Sequence, residues 1–72
     1  MQRRYYIATT DNIPYHAQPE EGYTELQLIN AIHRYAKEDA RIFGGVYTDY
    51  IHDYNVLDSN FHDVTKYFYN RV

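Results

Sequence analysis

The chain has 72 residues, no cysteine, no tryptophan, ten tyrosines and a formal net charge of -3 at pH 7. This length predicts one domain, spanning 1–72, and the absence of thiols excludes a disulfide scaffold and any cysteine-based zinc site. The apolar runs are too short to cross a membrane, and the polar first residues lack the apolar core of a signal peptide. We therefore expect a single domain that works in a cytoplasm.

The first predicted element is a strand at residues 3–10 (RRYYIATT), because this segment is rich in aromatic and β-branched residues. Residues 11–14 (DNIP) interrupt it, since proline removes a backbone donor and resists strand pairing. A loop is then expected as far as Gly22.

The second predicted element is an amphipathic helix at about 24–43. Thr24 with Gln27 three residues later is typical of a capping box at a helix start. Apolar residues recur with helical spacing from Leu28 to Phe43, which defines one buried face. The glycine pair that begins at Gly44 predicts the helix end.

The last third of the chain allows two interpretations. Two sets of apolar residues have the spacing of a helix: Tyr47, Tyr50, Ile51 and Tyr54, and then Phe61, Val64 and Phe68. However, segments 46–48, 55–57 and 64–69 are strand-like in composition, and 58–60 (DSN) is a turn cluster. We favour a β-hairpin at about 50–57 and 62–69, with helices as the alternative. The predicted fold is thus a small α+β domain of β-α-β-β order, an antiparallel sheet with one amphipathic helix packed on one face.

The favoured hairpin sorts its side chains into two faces. With Ser59 and Asn60 in the turn, Leu57 lies opposite His62, and alternation directs Ile51, Leu57, Val64 and Phe68 toward the helix. A tyrosine hydroxyl needs a partner or water, so some of the ten tyrosines must face outward. The outward face, on which Val56 and Thr65 also lie, and its acidic rim form the predicted partner-binding site: Asp49, Tyr50, His52, Asp53, Tyr54, Asp58, Asp63, Tyr67 and Tyr69. The tyrosines would supply contact area, His52 a hydrogen bond and the aspartates a negative rim.

Catalytic and metal-binding patterns are weak in this sequence. A catalytic zinc site needs three converging ligands, and no two of the four histidines have the spacing that would place them on one helix face. Ser59 lies in a polar turn rather than at an activated strand-to-helix elbow, and the glycine pair follows a helix instead of opening one. We therefore expect a protein that is not an enzyme, with no metal and no cofactor.

The charge pattern favours a protein partner with a basic surface. From Gly44 to Thr65 there are four aspartates and no lysine or arginine, a distribution that repels phosphates. A surface that normally holds DNA or RNA is one such partner. The alternative is a single-stranded nucleic-acid-binding module that uses stacked tyrosines. A homodimer paired through an open edge strand is a further alternative, and a membrane partner is not expected.

In its size, lack of cysteine and mild acidity, the chain resembles the short inhibitors that phages and mobile elements carry. Anti-CRISPR and other anti-defence proteins are the best-known group of these inhibitors. The resemblance concerns size and composition and includes no shared motif. It implies an inhibitor that occupies a nucleic-acid-handling protein in the host cytoplasm, and it assigns no residues.

Overall fold

The computed structural model describes residues 3–69, apart from the side chain of Tyr69. The elements in chain order are strand β1 (Tyr5–Ala8), helix α1 (Glu25–Phe43), two 3₁₀ turns (Tyr47–Asp49 and Ile51–Asp53), strand β2 (Asn55–Asp58) and a short helix α2 (Thr65–Tyr69). The two strands pair antiparallel, with Ile7 opposite Val56, and α1 packs against the sheet. The predicted small α+β domain, an antiparallel sheet with an amphipathic helix, is confirmed.

Helix α1 begins and ends where the sequence predicts. The Thr24 hydroxyl accepts a hydrogen bond from the Gln27 N–H (3.3 Å), and the Gln27 carboxamide accepts one from the Thr24 N–H (3.0 Å). At the other end, Gly44 has a φ of 88°, a conformation that favours glycine, and its N–H donates to the Ala40 carbonyl (2.8 Å). In the described part of the chain, no helix combines the length and hydropathy that a membrane span requires.

The loop between β1 and α1 is attached to the edge of β1 that β2 does not occupy. Tyr5 and Tyr23 exchange two backbone hydrogen bonds of 2.8 Å. The Gln18 carboxamide accepts a hydrogen bond from the Ile7 N–H (2.9 Å) and donates one to the Ile7 carbonyl (3.0 Å), so it takes the place of a neighbouring strand. Backbone groups of a four-residue strand are thus paired on both sides.

The chain reverses after β2 as predicted, but the second hairpin strand at 62–69 is wrong. Leu57 pairs with Asp63 rather than with His62, and the return segment pairs through a single bridge before α2 begins. The Asp63 carboxylate accepts hydrogen bonds from both the N–H and the hydroxyl of Thr65. The Thr65 hydroxyl in turn accepts from the Val56 N–H (3.0 Å), so a side chain replaces the next strand bond and the backbone turns into a helix.

The first half of the other predicted hairpin strand, 50–57, is also wrong. Residues 47–53 form the two 3₁₀ turns, which pack against the C-terminal half of α1, and β2 contains only Asn55–Asp58. Ile51 and Tyr54 are buried three residues apart, as the helical alternative would place them. Val56, predicted to face outward, is also fully buried. The core therefore gains residues from both faces of the predicted hairpin.

Candidate functional site

Four of the predicted site residues remain together at the surface. Asp49, His52 and Asp53 are exposed on the two 3₁₀ turns, and Tyr50 is half-buried between them. Hydrogen bonds from the Asp49 N–H to the Val46 carbonyl (3.0 Å) and from the Asp53 N–H to the Tyr50 carbonyl (3.0 Å) close these turns. The turns hold the two carboxylates outside the core, as the sequence analysis expected of them.

Asp58 and Asp63 lie apart from that group and serve the backbone instead. Asp58 accepts hydrogen bonds from the N–H groups of His62 (3.0 Å) and Asn60 (2.9 Å), and these bonds, the first above all, lower the pKa of its carboxyl. The hydroxyl and then the N–H of Thr65 lower the pKa of Asp63 in the same way. Both carboxylates stabilise turns, a structural use that the sequence analysis predicted for Asp58 in the 58–60 turn but not for Asp63.

Among the side chains that the structure describes, the tyrosines of the predicted outward face do not lie on one surface. Tyr54 is 3% exposed, so its assignment to the partner-binding face is wrong, whereas Tyr67 is 51% exposed on α2. The side chain of Tyr69 lies outside the described residues. Because the return segment is helical and the preceding segment is 3₁₀, strand alternation no longer places these side chains on one surface.

An exposed apolar cluster at the end of α1 was not predicted. Ile42 is 59% exposed, Phe43 74% and Val46 60%. The sequence analysis assigned Phe43 to the buried face of the helix, but the fully buried residues of α1 end at Ala36 and Phe43 is exposed. The sequence signal for this end of the buried face is the charged run that follows Ala36, in which Ala40 is the one apolar residue between Lys37 and Arg41.

The apolar cluster and the acidic turns are continuous along the chain. The Tyr50 hydroxyl donates to the Gly44 carbonyl (2.7 Å), which fastens the 3₁₀ turns to the end of α1. The Lys37 ammonium lies 5.2 Å from the centre of the Tyr47 ring, and Arg41 pairs with Glu38. We call this region the 42–53 surface, defined by six of its exposed side chains: Ile42, Phe43, Val46, Asp49, His52 and Asp53.

A second concave feature brings together three tyrosines that are far apart in sequence. Tyr15, Tyr35 and Tyr54 line a depression of about 300 Å³, with Arg34, Glu38 and Asp39 beside them. We call this depression the tyrosine pocket. Burial and then the charge of Asp39 raise the pKa of Tyr15, and burial raises the pKa of Tyr35. Burial and then its hydrogen bond to Asp39 raise the pKa of Tyr54, so all three rings stay neutral phenols at physiological pH.

Two of the larger depressions contain no converging chemistry. One of about 600 Å³ lies at the start of α1, where the Thr24 hydroxyl already accepts a hydrogen bond from the Gln27 N–H. Another of about 460 Å³ has Arg3 and Arg4 on one side and the Asp58 carboxylate on the other, so its charges offset one another.

Metal chemistry has no obvious position in the described residues. Within residues 3–69, no three histidine, aspartate or glutamate side chains lie close enough to hold a metal ion. His33 lies on α1 with its ring 6.0 Å from that of Tyr47 in the first 3₁₀ turn, and its Nε2 is buried without a hydrogen-bond partner among the residues described. His52 and His62 lie in separate surface segments.

Comparison of the chain with protein-family models, with curated proteins and with solved structures finds no significant match.

Proposed function

We propose that this chain is a small non-enzymatic binding protein that occupies a basic surface on another protein through its 42–53 surface. One observation supports the proposal: three apolar side chains that are 59–74% exposed adjoin two exposed carboxylates, and the chain has no lysine or arginine from Gly44 to Thr65. Isolated exposed apolar residues are ordinary, but a cluster bordered by polar groups is typical of an interaction site.

The two halves of this surface would contribute in different ways. Burying Ile42, Phe43 and Val46 against a partner would supply most of the affinity, because the apolar centre of an interface dominates its energetics. Asp49 and Asp53 would attract a basic partner and raise the association rate and specificity more than the affinity. A partner that normally binds DNA or RNA has the required positive surface, and this fits a phage-type inhibitor acting in the host cytoplasm.

Other occupants suit this surface less well. The phosphates of a nucleic acid would be repelled by Asp49 and Asp53, and Tyr54, which a stacking module would need, is buried. A second copy in a two-fold contact would bring the same carboxylates toward each other. A basic protein is therefore the occupant that we propose.

Affinity capture with matched variants tests the proposal. We expect the wild-type chain to retain a protein from the host lysate after nuclease treatment, and Phe43→Ser to lose it. Leu26→Ser is the control, because Leu26 is 70% exposed at the opposite end of the same helix. Asp53→Lys should weaken capture, most strongly at low salt.

Two results would overturn the proposal. One is equal capture by the Phe43→Ser and Leu26→Ser variants, because the 42–53 surface would then play no part. The other is direct binding of a single-stranded oligonucleotide that weakens steeply as salt rises, which would favour the nucleic-acid-binding alternative.

A further inference from the structure

The three rings of the tyrosine pocket are arranged edge to face. The centroids of Tyr15 and Tyr35 are 5.4 Å apart, those of Tyr35 and Tyr54 5.8 Å, and those of Tyr15 and Tyr54 6.1 Å. The interplanar angles are 84°, 82° and 63° in the same order. Tyr54 is buried and Tyr15 and Tyr35 are half-buried, so the first forms the floor of the depression and the other two its walls.

Two of the three hydroxyl groups of the pocket are already engaged in hydrogen bonds. Tyr35 donates to the Ala17 carbonyl (3.0 Å), and Tyr54 donates to the Asp39 carboxylate. A ligand would therefore meet mainly ring carbon. A group with several N–H donors would lose water without replacing it, whereas an alkylated ammonium has few or no such donors to satisfy.

The charges around the pocket favour a cation. Asp39 is part of the lining, and Asp53 is close enough that its charge helps to raise the pKa of Tyr15. Glu38 also lines the pocket but is paired with Arg41. Arg34 is the one opposing charge in the described lining, and it is exposed at the rim. An anion is disfavoured here, and aromatic faces attract a cation within about 6 Å of their centres.

From this arrangement we infer that the tyrosine pocket is a receptor for an alkylated ammonium group. The group can belong to a small quaternary ammonium compound or to a methylated lysine side chain, which share the same chemistry. At about 300 Å³, the depression is at the small end of ligand sites, a size suited to one such group. The inference requires no protein partner, and of the 42–53 surface it uses only the charge of Asp53.

Binding is tested with choline and with its neutral isostere, in which carbon replaces the ammonium nitrogen. We expect choline to shift the NMR signals of Tyr15, Tyr35 and Tyr54 with a millimolar dissociation constant, at constant ionic strength. The neutral isostere should bind at least about tenfold more weakly, because it has the same shape but no cation–π attraction. A short peptide with a trimethyllysine is the second probe, and its unmodified counterpart is the control.

Two variants change binding in opposite directions. Tyr15→Leu keeps an apolar wall but removes the ring, and it should weaken choline binding about tenfold. Arg34→Gln removes the opposing charge and should strengthen binding by about two- to fivefold. Tyr15→Phe keeps the ring and should bind like the wild type, which provides a test even if Tyr15→Leu does not fold. Phe43→Ser should bind choline normally, so failure of the protein-partner proposal and failure of this one are distinguishable.

The probes also identify the source of the ammonium group. Tighter binding of the trimethyllysine peptide than of choline would indicate a modified protein side chain, and the reverse order a small free cation. Equal binding of choline and its neutral isostere would overturn the inference, because the pocket would then be merely apolar. Absence of any shift at the three tyrosines with every probe would overturn it as well.

Discussion

Substitutions at Tyr54 and Tyr67 separate the predicted hairpin from the observed structure. Both residues belong to the predicted outward face, but Tyr54 is 3% exposed and Tyr67 51%. Tyr54→Ala removes a ring packed against those of Tyr15 and Tyr35 and a hydroxyl bonded to Asp39. Replacing a buried aromatic residue by alanine costs about 3–5 kcal/mol, and a domain of this size rarely has more than about 5 kcal/mol in total. The variant should therefore be largely unfolded.

A smaller change at the same position isolates the hydroxyl. Tyr54→Phe keeps the ring but leaves the Asp39 carboxylate without its donor. Asp39 is only half-buried, so water can replace part of that bond and the expected cost is about 1–2 kcal/mol. For a domain of this length, each kcal/mol lowers the melting temperature by about 4–8 °C. Tyr67→Ala, at a half-exposed position, should cost about 1 kcal/mol or less.

Urea unfolding followed by far-UV circular dichroism measures all three variants. The expected order of destabilisation is Tyr54→Ala, then Tyr54→Phe, then Tyr67→Ala. If Tyr54→Ala unfolded cooperatively with the midpoint of Tyr67→Ala, Tyr54 would be a surface residue. The tyrosine pocket would then lose its floor, and the hairpin would be restored as the better description.

Three further predictions concern single hydrogen bonds and backbone conformations. Thr65→Val should lower the free energy of unfolding by about 1–3 kcal/mol, because it leaves the Val56 N–H unpaired. Thr65→Ser should retain most of the stability, and equal melting temperatures of the two variants would contradict this role. The folded-state pKa of Asp63 is lowered, so its carboxylate stabilises the fold above the unfolded pKa of about 3.9, and this contribution is lost as pH falls through the folded value. Asp63→Asn should thus flatten the acid branch of the melting-temperature profile, and an unchanged branch would refute that role. Gly22→Ala should destabilise the fold more than Gly45→Ala. Both glycines have a positive φ (82° and 90°), but only at Gly22 would the new Cβ lie 3.0 Å from a backbone oxygen. Thermal melts compare the two variants, and equal losses of stability would exclude the clash.

The first two thirds of the chain are predictable because their signals are local. The capping box at Thr24, the helical spacing from Leu28 to Ala36 and the glycine at position 44 all act within a few residues of one another. Each signal agrees with the others, which is the condition under which a sequence specifies its local structure. The exposure of Phe43 was missed because periodicity identifies a helical face but not how much of its length is covered by the rest of the fold.

The C-terminal third is less predictable because two local preferences compete there. The β-branched and aromatic residues of 64–69 favour a strand, whereas the Asp63 carboxylate bonds the N–H and hydroxyl of Thr65 and favours a turn. A one-residue change of register then reverses which side chains face the core. The spacing of Val64 and Phe68, four residues apart, was the signal for the helix, and the full burial of Phe68 agrees with it.

The tyrosine pocket could not be predicted from local pattern at all. Tyr15 lies in a loop, Tyr35 on α1 and Tyr54 after the 3₁₀ turns, so only tertiary packing joins them. The sequence analysis grouped tyrosines that are neighbours along the chain. The carboxylate of the pocket was missed for the same reason. Asp49 and Asp53 remain at the surface, but the carboxylate that lines the pocket beside the rings belongs to Asp39, which the sequence analysis did not consider.

The prediction that the hairpin tyrosines face outward failed for a physical reason, and the same reason explains how so short a chain is held together. We expected the need of each hydroxyl group for a partner or water to turn some tyrosines outward, but several hydroxyl groups find a backbone carbonyl of the chain as that partner. Tyr6 donates to the Glu20 carbonyl (2.8 Å), Tyr35 to that of Ala17 (3.0 Å) and Tyr50 to that of Gly44 (2.7 Å). In each case the hydroxyl bonds a carbonyl of a loop or a helix end that has no partner in a strand or helix, and this bond holds the segment against the tyrosine ring. Such bonds contribute about 0.5–1.5 kcal/mol each, so a few of them, with ring burial, can take the role that disulfides play in other small domains. A chain without cysteine can therefore use several of its tyrosines for stability, while Tyr15 and Tyr35 keep partly exposed rings for binding.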